Sequence, residues 1–218
     1  GNMMTYSIIT VRKEETKKKL AISCDNQPFI AKAPLILIFL ADYSKWYKYY
    51  EVNGVREFQK DRGETFAGPS AGSFVLAVQD AVIAAENAVI AAESLGIGSC
   101  YIGDIMEQKE YHKTLFNLPE YVFPVAMLTL GYYPEDYMVP LKERFAEKYV
   151  VFEERYNELS KEDIDDMFRK RDQLFTAKNK YNAKNYAQMH YNFKVKAPFS
   201  KEMQRSVEEA LKEWDKKE

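Results

Sequence analysis

The 218-residue chain has only two cysteines, Cys24 and Cys100, and two histidines, His112 and His190. Two cysteines exclude a disulfide scaffold and a four-cysteine zinc site, and both are expected to be buried thiols rather than a bridge. No HExxH, no CxxC and no spaced cluster of Asp and His marks a metal centre. Two histidines far apart in sequence give no oriented base for Ser–His–Asp or Cys–His hydrolysis. Nine glycines and eight prolines are too few for a collagen-like or linker-dominated chain. A net charge of −2, from 31 basic and 33 acidic residues, lacks the electrostatic footprint of a dedicated nucleic-acid binder. The longest uninterrupted apolar stretch, Ala33 to Ala41, falls far short of the roughly 20 residues of a membrane helix, so no span is expected.

What remains is a chain that is 46% apolar, enough for a real core, at a length that fits one or two domains. Tyr6 to Val11 is β-branched and apolar, a strand pattern. Lys13 to Cys24 has helix propensity, with Leu20 and Ile22 apolar. Leu35 to Leu40 is continuously apolar behind Pro34, as a strand covered on both faces would be. Tyr43 to Tyr50 is an aromatic run with lysines, expected as a surface helix or turn. Glu51 to Pro69 is polar, contains Gly54, Gly63 and Gly68, and is expected as a mobile connection. Both segments have two open readings, substrate-pocket wall or plain surface.

Gly72 to Leu95 is the strongest helix pattern. Small and apolar residues on several faces predict a buried helix, ended by Gly96. A short strand over Gly98 to Ile102 follows. Asp104 with Glu107 three residues on resembles a capping box opening a helix to about Phe116. Val122 to Leu130 is a further buried strand, closed by Gly131. After Phe145 the composition turns charged and aromatic, with helices opened by Ser160 and Ser200. Residues 1–145 are therefore expected as a core, and 146–218 as a helical arm wrapping that core or a partner subunit.

Two constellations carry chemistry. Glu93 to Asp104 contains Gly96, Gly98 and Gly103. Its Gly-rich strand-to-helix turn presents backbone N–H groups to an anionic or electron-rich ligand edge, or is simply a helix C-cap. Lys142 and Arg144 alternate on one loop and so point the same way, which suits a phosphate or is ordinary surface charge.

Four segments in order resemble the FMN-dependent nitroreductase family, over Gly1 to about Arg144. They are Gly1-Asn2-Met3-Met4-Thr5-Tyr6-Ser7-Ile8-Ile9, then Cys24-Asp25-Asn26-Gln27-Pro28 through Pro34. Next is Ala84 through Gly103, and last Gly131-Tyr132-Tyr133-Pro134 with the Lys-x-Arg of Lys142 and Arg144. The resemblance implies an α+β sandwich, a mostly antiparallel sheet flanked by helices, with a helical C-terminal arm. It also implies a cytoplasmic, intertwined homodimer with FMN at the subunit interface.

Carried over by position, Asn26 hydrogen-bonds the flavin ring system with Gln27 beside it. Tyr101, Ile102, Gly103 and Asp104 form the turn at its N5 region, Lys142 and Arg144 hold the phosphate, and Asn2 lies on the substrate side. The implied reaction is ping-pong hydride transfer, with NADH or NADPH as reductant. The acceptor is a small molecule, a nitroaromatic, quinone or enone, with no nucleic acid or membrane involved. The alternative is a flavin-binding or interaction protein without turnover. The family also carries an N-terminal helix with Arg-x-Ser-x-Arg, whereas this chain starts at the family's Gly-Asn. The expectation is a native segment preceding Gly1, and the alternative is a degenerate member with weakened FMN affinity.

Overall fold

The computed structural model describes residues 2–138 and 141–215. It divides into two compact units, Gly1–Pro134 with Glu202–Glu218, and Glu135–Lys201. The first is built on a four-stranded, wholly antiparallel sheet in the order β1-β2-β4-β3. Its strands are β1 (Tyr6–Val11), β2 (Leu35–Asp42), β3 (Gly98–Ile102) and β4 (Val122–Gly131). The helices are α1 (Glu14–Ser23), α2 (Pro28–Lys32), α3 (Ser44–Val52), α4 (Val55–Asp61), α5 (Ala71–Ser94) and α6 (Lys109–Phe116). The C-terminal portion adds α7 (Lys161–Asp172), α8 (Tyr186–His190) and α9 (Pro198–Trp214), the last entering the first unit from Glu202 on.

Strand alternation splits the core into two layers. Phe39 and Ala41 of β2 and Phe123, Leu128 and Leu130 of β4 face α5 and the end of α9. Ile36, Ile38 and Leu40 of β2, with Met127 of β4, face α1, α2 and the turn after β3. The β2–β4 register slips between Phe39 and Leu40, where Ala126 and Pro124 are the successive partners. Val125 is the extra residue of a bulge. That irregularity accommodates Pro124, a residue without an N–H, inside a central strand.

On the first layer Trp214 of α9 is fully buried. It meets Phe74, Tyr43 and Tyr121 edge-on at centroid distances of 5.1, 6.2 and 6.2 Å.

Four expectations change. The connection 51–69 contains α4, packed beside α3 after the left-handed Gly54 (φ 70°). Cys100 is exposed while Cys24 is buried, because β3 is an edge strand whose middle residues are left uncovered. Helix α5 is buried only along Phe74, Ala77, Ala81, Ala85 and Ala92, while Val75, Leu76, Val82, Ile83 and Ile90 are exposed. This 24-residue helix has a stretch of mean hydropathy 1.6, long and apolar enough by length and composition to cross a membrane. Gln79, Asp80, Glu86 and Asn87 interrupt its apolar runs, and a core helix passes the same test of length and composition. Finally, Asp104 and Glu107 form no capping box. The residues Gly103–Met106 make a single 3-10 turn, and α6 begins later, behind the left-handed Gln108 (φ 50°).

Removing the Trp214 ring empties the junction of α5, α9 and the sheet. The Trp214→Ala variant should lose about 3 kcal/mol of stability or more, read from urea unfolding. A loss below about 1 kcal/mol would mean that this end of α9 is not docked in solution.

Candidate functional site

Two short backbone corners of the first unit meet at the C-terminal end of β3. The first follows α1, where Asp25 and Asn26 are both left-handed (φ 57° and 53°), a conformation these short polar side chains tolerate best after glycine. The Cys24 N–H donates to the Leu20 carbonyl at 2.9 Å and the Gln27 N–H to the Ala21 carbonyl at 2.8 Å, closing the helix end. Pro28 then starts α2 at the position where a missing N–H is harmless. This corner leaves the Asn26 side chain exposed.

The second corner is the turn Gly103–Met106. Ile102 and Ile105 are buried and anchor it, while Gly103 is exposed. A side chain at Gly103 would meet nothing within 4 Å, so the backbone there faces open space.

The Gln27 side chain joins the two corners. Its Nε2 donates to the Cys24 carbonyl at 2.9 Å and to Asp104 Oδ2 at 2.7 Å. Behind the junction lies a buried polar cluster. Ser23 Oγ is 2.8 Å from His112 Nε2, and both residues are buried. Burial lowers the His112 pKa, keeping the ring neutral. Burial also raises Cys24 to about 12, a thiol rather than a thiolate. Glu107, likewise buried, is raised to about 7, first by desolvation and then by the neighbouring Asp104 carboxylate.

Residues of α9 take the capping role expected of Asp104. Glu202 Oε1 accepts from the Gln108 N–H at 3.1 Å and Ser206 Oγ from the Lys109 N–H at 3.1 Å. Tyr101 points outward on β3 and donates to Glu86 Oε2 at 3.2 Å. Desolvation and that carboxylate raise its phenol to about 12.

Asn2 leads into β1 in the left-handed region (φ 52°) and is exposed. Its segment is fastened from two helices. The N–H and Oγ1 of Thr5 donate to Asp80 Oδ2 at 2.9 and 2.8 Å, and Trp46 Nε1 donates to the Met3 carbonyl at 2.7 Å.

Lys142 and Arg144 belong to the second unit. Both are exposed and line a concavity of about 640 Å³ with Phe145, Tyr149, Asp166 and the run Arg169-Lys170-Arg171. The acids there are engaged. Glu143 pairs with Lys170, and Asp166 takes Lys148 at 3.0 Å, Arg169 at 2.8 Å and the Tyr149 hydroxyl. Among the described residues, Lys142 and Arg144 have no acidic partner.

The structure thus brings Gln27 and Asp104 into contact, with Asn26 and Gly103 flanking them. Sequence reasoning missed Asp80, Trp46, Gln108, Glu202 and Ser206. Their bonds span 43 to 97 positions, and no local spacing announces them.

Residues 2–132 match the sequence profile of the Nitroreductase family. A CR(VI) reductase of Pseudomonas sp. (strain G-1) is 30% identical over 129 residues, 59% of this chain and 49% of that protein. The FMN reductase (NADPH) of Bacillus subtilis (strain 168) is 31% identical over 157 residues, 71% of this chain and 59% of that protein. The chain therefore spans about half to three fifths of the curated relatives it matches. Among solved structures, B. megaterium NfrA2 superposes with a TM-score of 0.77 at 30% identity, covering 100% of this chain and 83% of that one. An oxidoreductase structure from Bacteroides fragilis gives 0.76 at 27% identity, over 97% and 82%.

Replacing Gln27 by Ala leaves Asp104 Oδ2 and the Cys24 carbonyl without their donor. Gln27→Ala should cost about 1–2 kcal/mol in urea unfolding. A change within about 0.3 kcal/mol would show that the two corners are not joined in solution.

Proposed function

The chain belongs to the nitroreductase family, and from that membership we propose that the protein is an FMN-dependent NAD(P)H oxidoreductase acting on a small-molecule acceptor. The observation that carries the reading is the Gln27–Asp104 bond of 2.7 Å. It holds side by side the two segments on which the family resemblance puts the flavin ring. The residues present fit such a group. Gly103 leaves an open face of backbone, Asn26 offers an exposed amide, and Lys142 and Arg144 are exposed cations without acidic partners among the described residues.

In this reading Asn26 would hydrogen-bond the flavin ring system with Gln27 beside it, and the backbone around Tyr101, Ile102, Gly103 and Asp104 would face its N5 region. Lys142 and Arg144 hold the phosphate. Asn2, steadied through Thr5 and Met3 by Asp80 and Trp46, lies on the substrate side. FMN, when bound, supplies the hydride chemistry between NADH or NADPH and a nitroaromatic, quinone or enone. The protein's part is to bind and orient the ring, offer N–H donors to developing negative charge, and keep the stacking face open for reductant and acceptor in turn. The neutral His112 and the protonated Cys24 stay outside this chemistry. The free cysteines are in keeping with a cytoplasmic location.

The same reading makes the protein a homodimer. Val75, Leu76, Val82, Ile83 and Ile90 leave an apolar face of α5 exposed, and a patch of that kind is normally covered by a partner. Residues 146–218 are the helical arm of the reading, of which the part from Glu202 on belongs to the first unit.

Titration with FMN should quench the flavin fluorescence to saturation, and the loaded protein should oxidise NADH or NADPH when an acceptor is added. Protein that takes up no FMN would sink the reading. The double variant Lys142→Ala with Arg144→Ala should weaken FMN binding on the order of a hundredfold, from two charge-assisted contacts of about 1.5 kcal/mol each. Unchanged affinity would reduce the pair to surface charge.

Sedimentation equilibrium should show a dimer that Ile83→Glu shifts toward monomer by at least tenfold in dissociation constant, about 1.4 kcal/mol. A monomeric wild type would remove the dimer.

A further inference from the structure

Glu107 has no part in the chemistry proposed above, and the capping box expected of it does not form. It is only 5% exposed, and its Oε1 has no hydrogen-bond partner. The groups around it come from four elements. Asp104 lies on the turn after β3, Cys24 and Asp25 at the end of α1, His112 on α6 and Glu202 on α9. The charged groups that act on it, Asp104, Asp25 and Glu202, are all acidic. Glu202 is spoken for, accepting from Arg205 and from the Gln108 N–H. His112 is neutral and Cys24 holds its proton, so neither offers a counter-charge. A carboxylate enclosed this way is unfavourable, and taking up a proton is what relieves it.

We propose that Glu107 is a positioning residue that locks the Asp25–Asn26–Gln27 corner to the Gly103–Asp104 turn through a carboxyl–carboxylate contact with Asp104. The proposal deepens the functional reading above and rests on it, since those two segments are the ones assigned to the flavin ring. With a proton on Glu107, the Asp104 carboxylate is stabilised as the acceptor of the Gln27 amide, and Gln27 in turn holds the Cys24 carbonyl. Without it, two carboxylates oppose each other where little water reaches, and the strain falls on the Gln27–Asp104 link.

The sign follows from the raised pKa. The contribution of Glu107 is fully present below the ordinary carboxylate value of 4.5 and is lost as pH rises through about 7. Glu107→Gln and Asp104→Asn each remove the opposition while keeping the shape of the side chain.

The test compares wild type with both variants. Thermal unfolding of flavin-free protein between about pH 6 and about pH 8.5 should cost the wild type about 3 °C more than Glu107→Gln, with Asp104→Asn between the two because burial of Glu107 remains. Over the same range the wild type's FMN dissociation constant, from fluorescence quenching, should rise roughly threefold to tenfold more than those of the variants. Equal thermal responses in wild type and variants would overturn the lock, and Asp104→Asn carries that comparison if Glu107→Gln does not fold. FMN binding with one pH trend in all three proteins would overturn the positioning role. Thermal responses that differ as expected, with FMN bound by none of the three, would sustain the lock and overturn the flavin reading beneath it.

Discussion

The burial of β4 on both faces is the constraint from which the first unit follows. Every residue from Val122 to Leu130 is buried, so each side of the sheet has to be covered by other elements. On one side α5 and the tip of α9 do this with small residues and Trp214. On the other, α1, α2 and the turn after β3 do it with Leu20, Ile30 and Ile105. Because the second layer includes that turn, the sheet's own packing sets where the backbone at Gly103 lies. The candidate site is thus a by-product of closing the core, a rigid support of the kind that binding sites require.

That closure has a polar consequence. Packing α1, α6 and α9 around the end of β3 encloses Ser23, Glu107, His112 and Ser206. Enclosed polar groups need partners, and most find them across the chain. Ser23 meets His112, Ser206 donates to the Met106 carbonyl at 2.5 Å, and Gln108 Nε2 donates to the Ser23 carbonyl at 3.0 Å. Among the described residues two atoms of the cluster find no partner, Glu107 Oε1 and His112 Nδ1. Unmet polar groups in otherwise satisfied clusters tend to mark places where a fold stores something other than stability.

Much of the architecture was legible because local rules and tertiary packing agree. The strands β1, β2 and β4 are apolar runs that the core buries. Ser160 caps α7 with the reciprocal bonds to Asp163 that its spacing announces. Gly96, at φ 70°, ends the segment after α5 as a C-terminal glycine should. Reading failed where two local explanations competed. Asp104 and Glu107 have the spacing of a capping box, yet the helix they would cap starts later and is capped by Glu202 and Ser206. Likewise α5 has apolar residues on several faces, and composition alone does not tell the face packed on the sheet from the face left exposed.

Sequence alone determined the family and the order of the main strands and helices, since each rests on residue type and spacing within a short stretch. Only the tertiary structure decided that Gln27 bridges to Asp104, that Asp80 and Trp46 fasten the segment after Asn2, and that Glu107 is enclosed among acids without a counter-charge. Those contacts join positions far apart along the chain. The free energy of a buried hydrogen bond or carboxylate depends on what surrounds it in space, and spacing along the chain carries no record of that.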